Sequence, residues 1–442
     1  MSFAKAQMIV KSIGLVTMVT CPFWMLSLFY SGDYQHATAL ALVPLIVALN
    51  MVIALRIARR DPFLHLLLPI AILFKLAGCG LYIYMVLNIL GGGDVGLYFE
   101  TGGKIASLYH ITGEWHVLSP FWSSNFVFMV SGALQILVGH SLPAVSVIFG
   151  MVSFWGEYFC YRAFCTAFPN GDRYVLGLLL FFLPSIVFWP ATIGKDALIM
   201  FFIGLAVFGF ALINAGVGPK AVLCLSLGLL GATLVRPHIG AMLVISMTVP
   251  YLVATHPRGA AAFWGKMLGM AVLMAGTYFI TLQAGSFLRV DDLSGGVKEI
   301  ESVNRNNRFG PAGFGKEESF ATKALSAPVL LLRPFIWEVH NLPSMLASIE
   351  SLLLFLFGWQ RRREIVAVVG KWKVHSFVAF LIIYTVQFSI IFAGAMSNFG
   401  LLVRERVMLL PFALMLITSI AYVRRPGGAL NARFPISSQR FS

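Results

Sequence analysis

Charged residues are scarce in this chain. They make up 11% of its 442 residues, whereas hydrophobic residues make up 59%. A soluble domain carries roughly 25% charged residues, so this composition excludes an ordinary soluble domain and favours a membrane protein. Carboxylates are also outnumbered by basic residues, 18 against 32, yet the basic residues are spread over many short polar segments. No soluble basic domain results, and we expect no nucleic-acid partner.

Two further patterns are missing from the sequence. The five cysteines lie scattered within apolar runs, without the spacing of a disulfide framework or a metal site. No internal repeat is evident, although many transporters are built from inverted repeats. The sequence therefore predicts neither a disulfide-rich protein nor a metal centre, and it gives little support to a repeat-based transporter.

The chain does contain a long series of apolar runs. A membrane-spanning helix needs about 20 mostly apolar residues. The first run is too long for a signal peptide and is predicted to be a retained span. The sequence thus predicts an all-α, polytopic integral membrane protein, with residues 1–442 forming a single transmembrane domain. About twelve spans are predicted, at residues 9–30, 36–55, 64–90, 143–164, 174–192, 197–215, 219–235, 238–254, 264–284, 344–359, 375–395 and 400–423.

One apolar run, 125–139, is too short to cross a bilayer comfortably and is predicted to be a re-entrant or interfacial helix. The positive-inside rule then orients the spans, because cytoplasmic loops carry an excess of Lys and Arg. Both termini are predicted to be cytoplasmic, with extracytoplasmic loops at 91–142 and 285–343. The basic segments predicted to face the cytoplasm include 56–62, 161–173, 218–220, 255–259, 360–364, 371–373 and 423–426.

Under this topology most carboxylates gather on the outer face, and four stretches there are candidates for a functional site. The first is GGGDVGLYFETGGK, residues 91–104, in which three glycines let the backbone turn sharply. Asp94 is the first candidate for a general base, Glu100 the third, and Lys104 a candidate substrate contact. The alternative is a helix-ending turn with solvated charges.

The second stretch is GKD, residues 194–196, between two closely spaced spans. Asp196 favours the positive end of a helix dipole and can cap the helix, which is a purely structural explanation for it. Lys195 is unfavourable at a helix N-terminus unless an anion binds there, and helix N-termini attract phosphate. Both residues are candidate substrate contacts.

The third stretch is LVRPHIG, residues 234–240, where Pro237 breaks an apolar run. Arg236 and His238 flank the break. The planar guanidinium of arginine donates hydrogen bonds in pairs, so Arg236 suits a phosphate or pyrophosphate. An interhelical turn with interfacial side chains is the alternative.

The fourth stretch is the long hydrophilic segment at about 285–343. Its last part, LLLRPFIWEVHNLP (330–343), is predicted to be an amphipathic interfacial helix. Glu350 lies about two turns into the next span, and intramembrane carboxylates are costly and usually functional, so it is the second candidate base. Salt bridges among these residues are the alternative to a binding site. The remaining candidate substrate contacts are Arg333, Glu338, His340, Arg404 and Arg406.

The chain resembles polytopic glycosyltransferases of the GT-C type, in particular the EpsG/Wzy-like exopolysaccharide polymerases. The likeness rests on a G-G-D-x-x-x-Y pattern (Gly92, Gly93, Asp94 and Tyr98), the short re-entrant-like run, the boundary FWPATIGKDALI and a late extracytoplasmic loop. Such proteins tend to carry Arg near position 195, where this chain has Lys195, which keeps the charge but loses the bidentate fork. The chain also has no D-x-D pair, so a metal-bound donor is not indicated and no cofactor is expected.

The resemblance implies a protein of the bacterial cytoplasmic (inner) membrane that builds glycosidic bonds outside the cytoplasm. Its implied partners are a sugar donor linked to polyprenyl phosphate or pyrophosphate, a saccharide acceptor, the bilayer and other polysaccharide assembly proteins. Tyr98 joins the candidate substrate contacts on this basis. A transporter or flippase for a lipid-linked saccharide or another anionic amphiphile is the main alternative, followed by a scaffold subunit of an export complex and by a channel.

Overall fold

The structure is a computed structural model that describes residues 34–88, 93–254, 332–339, 342–395 and 399–419, together with positions 267 and 271. Within these residues the regular structure is helical, without a strand, as the sequence predicts. Outside the described residues lie the predicted span 9–30, all of the predicted span 264–284 except positions 267 and 271, Gly92, His340 and most of the predicted loop 285–343.

The helices are numbered here in chain order. Two short 3-10 turns, Trp189–Ala191 and Ile336–Glu338, accompany them. The α-helices are α1 (Tyr34–Ile57), α2 (Pro62–Asn88), α3 (Gly93–Thr112), α4 (Ser124–Val138), α5 (Leu142–Ala167), α6 (Arg173–Phe182), α7 (Pro184–Phe188), α8 (Lys195–Asn214), α9 (Pro219–Val235), α10 (Pro237–Ala254), α11 (Leu342–Gln360), α12 (Arg362–Val369), α13 (Ser376–Ala395), α14 (Phe399–Arg406) and α15 (Leu410–Thr418).

Four of the described helices are long and apolar enough to cross a membrane: α2, α5, α8 and α13. The pair α6 and α7 makes a fifth if the two count as one span bent by 54°. The remaining apolar helices α1, α4, α9 and α11 have apolar parts of 10–17 residues. The helices thus fit a membrane protein, and the predicted total of about twelve spans stays a prediction.

Polar contacts gather at two ends of the helix bundle. At one end, Arg173 pairs with Asp61 at 2.8 Å and Arg361 pairs with Asp172 at 3.6 Å. We call this the Asp61 end. Helix α2 begins beside Asp61 and its 27 residues run about 40 Å to the other end, which we call the Asp94 end. Three segments predicted to be cytoplasmic, 56–62, 161–173 and 360–364, therefore meet at one end of the bundle.

Helix α8 is the central element, and small residues let its neighbours approach closely. A Cβ atom added to Gly204 would lie 2.0 Å from the carbonyl oxygen of Gly156 on α5. On the other side, a Cβ added to Gly228 of α9 would lie 2.3 Å from the backbone nitrogen of Ala206. Because such distances exclude any side chain, α5, α8 and α9 pack backbone to backbone, as helices in membranes often do. This packing fixes where Lys195 begins α8.

The predicted span 174–192 is broken rather than continuous, because Pro184 begins a new helix after Leu183. The break leaves backbone polar groups that need partners in an apolar interior. The backbone N–H of Ser185 donates to Glu350 Oε2 at 2.8 Å, and Lys75 Nζ donates to the carbonyl oxygen of Ile186 at 2.8 Å. Charged side chains from α2 and α11 therefore satisfy the broken segment.

Lys75 also forms a buried ion pair with Glu157 of α5, at 2.6 Å, and each side chain is 1% exposed. Ser153 donates a further hydrogen bond to the same carboxylate at 3.3 Å. The pair joins α2, α5 and the broken segment in the apolar interior, where an unpaired charge would be costly.

Two other sequence predictions differ from the structure. Residues 332–339 do not form the predicted amphipathic helix; only Ile336–Glu338 make a 3-10 turn, after Pro334 and with the Glu338 carboxylate accepting from the Phe335 N–H at 2.9 Å. The predicted span 400–423 is divided into α14 and α15 by the turn at residues 407–409.

We predict that replacing Lys75 by Met, which leaves Glu157 buried without its partner, costs about 3 kcal/mol of unfolding free energy. The double substitution Lys75→Met and Glu157→Met should recover most of this loss, because no unpaired charge then remains. Unfolding of the purified protein in detergent micelles measures both effects. Lys104→Met, an exposed change on α3, is the control; a Lys75→Met protein as stable as this control would contradict the prediction.

Candidate functional site

A cleft of about 210 Å³ opens at the Asp94 end of the bundle. Its walls come from the beginnings of α3, α8 and α10, from the residue before α4 and from α14. Six of the sequence candidates are brought together there. Asp94, Tyr98, Lys195, Arg236, His238 and Arg404 line the cleft, together with Ser123, Leu401, Glu405 and others.

Asp196 is buried next to the cleft and pairs with two of the arginines that line it. Its Oδ1 accepts from Arg236 Nη2 at 2.7 Å and its Oδ2 accepts from Arg404 Nε at 2.5 Å. The residue is 7% exposed, and a carboxylate buried to this degree needs paired cations. The structure thus gives Asp196 another role than helix capping, since Gly194 is the N-cap residue and no side-chain cap is present on α8.

Each of these two arginines also holds a second carboxylate. Arg236 Nη1 donates to Glu405 Oε2 at 2.5 Å, and Arg404 Nη1 donates to Asp94 Oδ2 at 2.8 Å. The chain of alternating charges therefore runs from Asp94 through Arg404, Asp196 and Arg236 to Glu405. It joins α3, α8, α14 and the turn between α9 and α10 into one polar unit.

Lys195 stands apart from this chain, because its Nζ donates to a hydroxyl group, Ser123 Oγ, at 2.9 Å. It forms no ion pair within the described part of the chain. Ser123 has a φ of +61°, in the left-handed region that non-glycine residues rarely adopt, and its N–H donates to the carbonyl oxygen of Leu234 at 2.7 Å. The strained serine is thus held between α9 and α4 with its side chain directed at Lys195.

Residues 93–112 form an α-helix, α3, so Asp94 lies in the first turn of a helix; Gly91 and Gly92 of the predicted glycine-rich turn lie outside the described residues. Asp94 and Tyr98 are four residues apart and therefore share a face of α3, which borders the cleft. Burial raises the pKa of Tyr98, so its phenol stays protonated as a possible donor. Glu100 and Lys104 are exposed elsewhere on α3 and are not among the residues that line the cleft.

Helix α4 packs against α3. Tyr98 contacts Phe128 with ring centroids 5.3 Å apart, and further along a Cβ atom on Gly102 would lie 2.5 Å from Ser131 Oγ. Gln135 near the end of α4 donates to the carbonyl oxygen of Phe99 at 2.8 Å. The two N-termini thus lie side by side at the cleft, and this pair holds Asp94 in place.

Four other candidates form a separate network next to the cleft. Arg406 donates to Glu350 Oε1 at 3.2 Å, to Ser351 Oγ at 2.6 Å and to the carbonyl oxygen of Arg333 at 3.0 Å. Arg333 in turn pairs with Glu338. Glu350 is 4% exposed and both of its oxygens are engaged, the second by Ser185. For these four residues the structure thus shows mutual salt bridges and hydrogen bonds, the alternative to a binding site that the sequence left open.

Two residues of the cleft, Ser123 and Glu405, were not among the candidates from the sequence. Glu405 stands between Arg404 and Arg406 in the triplet RER, so the sequence did contain a signal for it. Ser123 had none, because its role depends on the fold bringing α4 against α8. Within the described residues no group of His, Cys, Asp and Glu side chains could hold a metal ion.

Comparison of the chain with known protein families, with curated proteins and with solved structures finds no match. The cleft is therefore interpreted from its own chemistry.

We predict that Arg404→Gln destabilises the protein by about 3 kcal/mol, because it removes one of the two cations that neutralise the buried Asp196. Lys195→Met should cost less than about 1 kcal/mol, since it removes only a hydrogen bond to a hydroxyl group. Adding Asp196→Asn to Arg404→Gln should recover part of the loss. Thermal unfolding of the three variants tests this ranking, and equal losses for Arg404→Gln and Lys195→Met would contradict it.

Proposed function

We propose that the cleft binds the phosphate or pyrophosphate of a polyprenyl-linked sugar and that the protein transfers this sugar to a saccharide acceptor on the extracytoplasmic face of a bacterial inner membrane. The observation that carries the proposal is the meeting of Lys195, Arg236 and Arg404 with a solvent-accessible carboxylate, Asp94, in one cleft at the end of an apolar bundle. An amphiphile fits this position, because its charged group can lie in the cleft while its tail stays in lipid.

The charges of the cleft support an anionic ligand that binds chiefly to Lys195. The three cations face three carboxylates, Asp94, Asp196 and Glu405, so the cleft is close to neutral when empty. Lys195 has a hydroxyl partner only, so its charge is available to a phosphate. Arg236 and Arg404, by contrast, each already pair with two carboxylates.

Asp94 is the general base in the proposed transfer step. Its side chain is 58% exposed, and Arg404 engages only its Oδ2. In the proposed step, Asp94 takes the proton from an acceptor hydroxyl, whose oxygen forms the new bond to the anomeric carbon of the donor. The bond from that carbon to the phosphate oxygen breaks, and the phosphate leaves with the electron pair while Lys195 neutralises its growing charge.

A transporter or flippase is the second candidate, and the interior of the bundle gives it some support. Transporters commonly place charged groups and broken helices near the middle of the membrane. Lys75 and Glu157 form a buried ion pair beside the break between α6 and α7. Because that pair is fully enclosed and satisfied, we rank transport below sugar transfer.

We predict that Asp94→Asn lowers the transfer rate by at least about a hundredfold, as loss of a general base does, while binding of the lipid-linked donor persists. The measurement uses the full-length protein in lipid nanodiscs with radiolabelled polyprenyl-phosphate sugars as donors. Glu100→Gln is the matched control, because Glu100 lies on the same helix but away from the cleft, and it should leave the rate unchanged.

Full transfer activity of the Asp94→Asn protein would remove Asp94 from the base role. If neither the wild type nor the variants transfer sugar, and all of them carry the labelled lipid across proteoliposome membranes at the same rate, the transporter is the correct reading.

We also predict the orientation of the chain in the membrane. Cysteine introduced at Glu114, in the exposed segment between α3 and α4, should react with a membrane-impermeant maleimide added to intact cells stripped of their outer membrane. Cysteine introduced at Lys373, near the Asp61 end, should react only after the membrane is opened, because basic segments stay in the cytoplasm. The reverse pattern would place the cleft in the cytoplasm and contradict the proposed site of transfer.

A further inference from the structure

A second cavity, of about 280 Å³, lies between α11 and α15 and is almost entirely apolar. Leu354 and Gly358 of α11 form one wall, and Leu410, Leu414 and Ile417 of α15 form the other. These positions repeat every three or four residues, so the cavity follows both helices for about two turns, or about 10 Å. Its elongated apolar shape suits a hydrocarbon chain.

One basic side chain, Arg362, lines this cavity where α11 gives way to α12. Its guanidinium lies over the ring of Trp359, 4.7 Å from the centroid, and Nη1 donates to the carbonyl oxygen of Trp359 at 2.9 Å. Arg362 forms no ion pair with any residue that the structure describes. A cation without a carboxylate partner at the end of an apolar cavity is complementary to an amphiphile with a negative head group.

The surroundings of Arg362 are those of a membrane–water interface. Trp359 is 56% exposed and Trp372 is 44% exposed, and tryptophan prefers this boundary. Lys373 lies over the ring of Trp372, 5.5 Å from its centroid. The segment from 361 to 373 carries five basic residues and a single acidic one, Glu364, so its local field attracts anionic lipids.

Among the residues that the structure describes, the opposite end of the cavity offers no comparable site for a phosphate. Leu410 follows Arg406 by about one turn, and Leu354 follows Glu350 by the same interval. Arg406 is fully buried and already binds Glu350 and Ser351. A phosphate therefore finds an accessible cation at the Arg362 end, which is the Asp61 end of the bundle, and not beside the charged cleft.

We propose that the cavity between α11 and α15 binds one acyl chain of an anionic phospholipid, whose phosphate contacts Arg362. The site belongs to the leaflet at the Asp61 end, and it is independent of the transfer reaction proposed for the cleft. Its ligand is a component of the membrane itself and not the lipid-linked sugar.

Native mass spectrometry of the full-length protein in detergent, titrated separately with phosphatidylglycerol and with phosphatidylcholine, tests the proposal. The apparent affinity of the wild type should be about fivefold higher for phosphatidylglycerol than for phosphatidylcholine, the factor expected for one basic residue near a phosphate. Arg362→Gln should abolish this preference. Gly358→Leu should lower retention of both lipids, because a Cβ at Gly358 would lie 3.9 Å from Ile417 and a larger side chain would fill the cavity.

Arg363→Gln is the matched control, because Arg363 is the exposed neighbour of Arg362 and does not line the cavity; its preference should stay that of the wild type. Equal retention of the two lipids by the wild type would overturn the proposal, as would an Arg363→Gln protein that loses the preference as fully as Arg362→Gln. An equimolar amount of undecaprenyl phosphate could instead displace phosphatidylglycerol from the wild type, and Arg362→Gln could leave the retention of phosphatidylglycerol unchanged. This result would overturn the proposal and assign the cavity to the lipid-linked substrate.

Discussion

The carboxylate of Asp196 is the interaction on which the Asp94 end of the bundle depends. It is buried, and it is tolerated there because Arg236 and Arg404 reach it from two other parts of the chain. Removing a charge from water costs several kcal/mol, so the three side chains stabilise one another only when all three are in place. Asp196 thereby ties α14 to α8 through Arg404, and the Arg236–Glu405 pair ties α14 to the turn between α9 and α10.

Close helix packing and the charged cleft are connected through α8. Gly156 and Gly204 let α5 and α8 touch along their backbones. This contact positions the first turn of α8 at the boundary of the apolar core. Lys195 and Asp196 occupy that turn with opposite roles. The aspartate faces inward to the arginines, and the lysine points across the cleft to Ser123. The two neighbouring charges at this apolar boundary thus have different partners: Asp196 pairs with two arginines, and Lys195 forms a hydrogen bond with a hydroxyl group.

The charged cleft and the cavity between α11 and α15 are of different kinds and lie toward different ends. The cleft at the Asp94 end is lined by charges of both signs, whereas the cavity between α11 and α15 is apolar with Arg362 at its border. Between them lies the hydrogen-bonded network of Arg406, Glu350 and Arg333.

The sequence by itself determined the helical class, because long apolar runs in a bilayer must satisfy their backbone hydrogen bonds within each helix. It also placed Asp94, Lys195, Asp196, Arg236 and Arg404 within a larger set of candidates, since charges beside apolar runs are rare enough to stand out. Only the tertiary structure decided which charges pair. Glu350 pairs with Arg406, Glu100 faces away from the cleft, and Ser123 lines it. The partners in these contacts are 40 to 208 residues apart, and helix packing, which no local pattern encodes, brings them together. The break at Pro184 also depends on tertiary structure, because its backbone groups form hydrogen bonds with the side chains of Lys75 and Glu350 from distant helices.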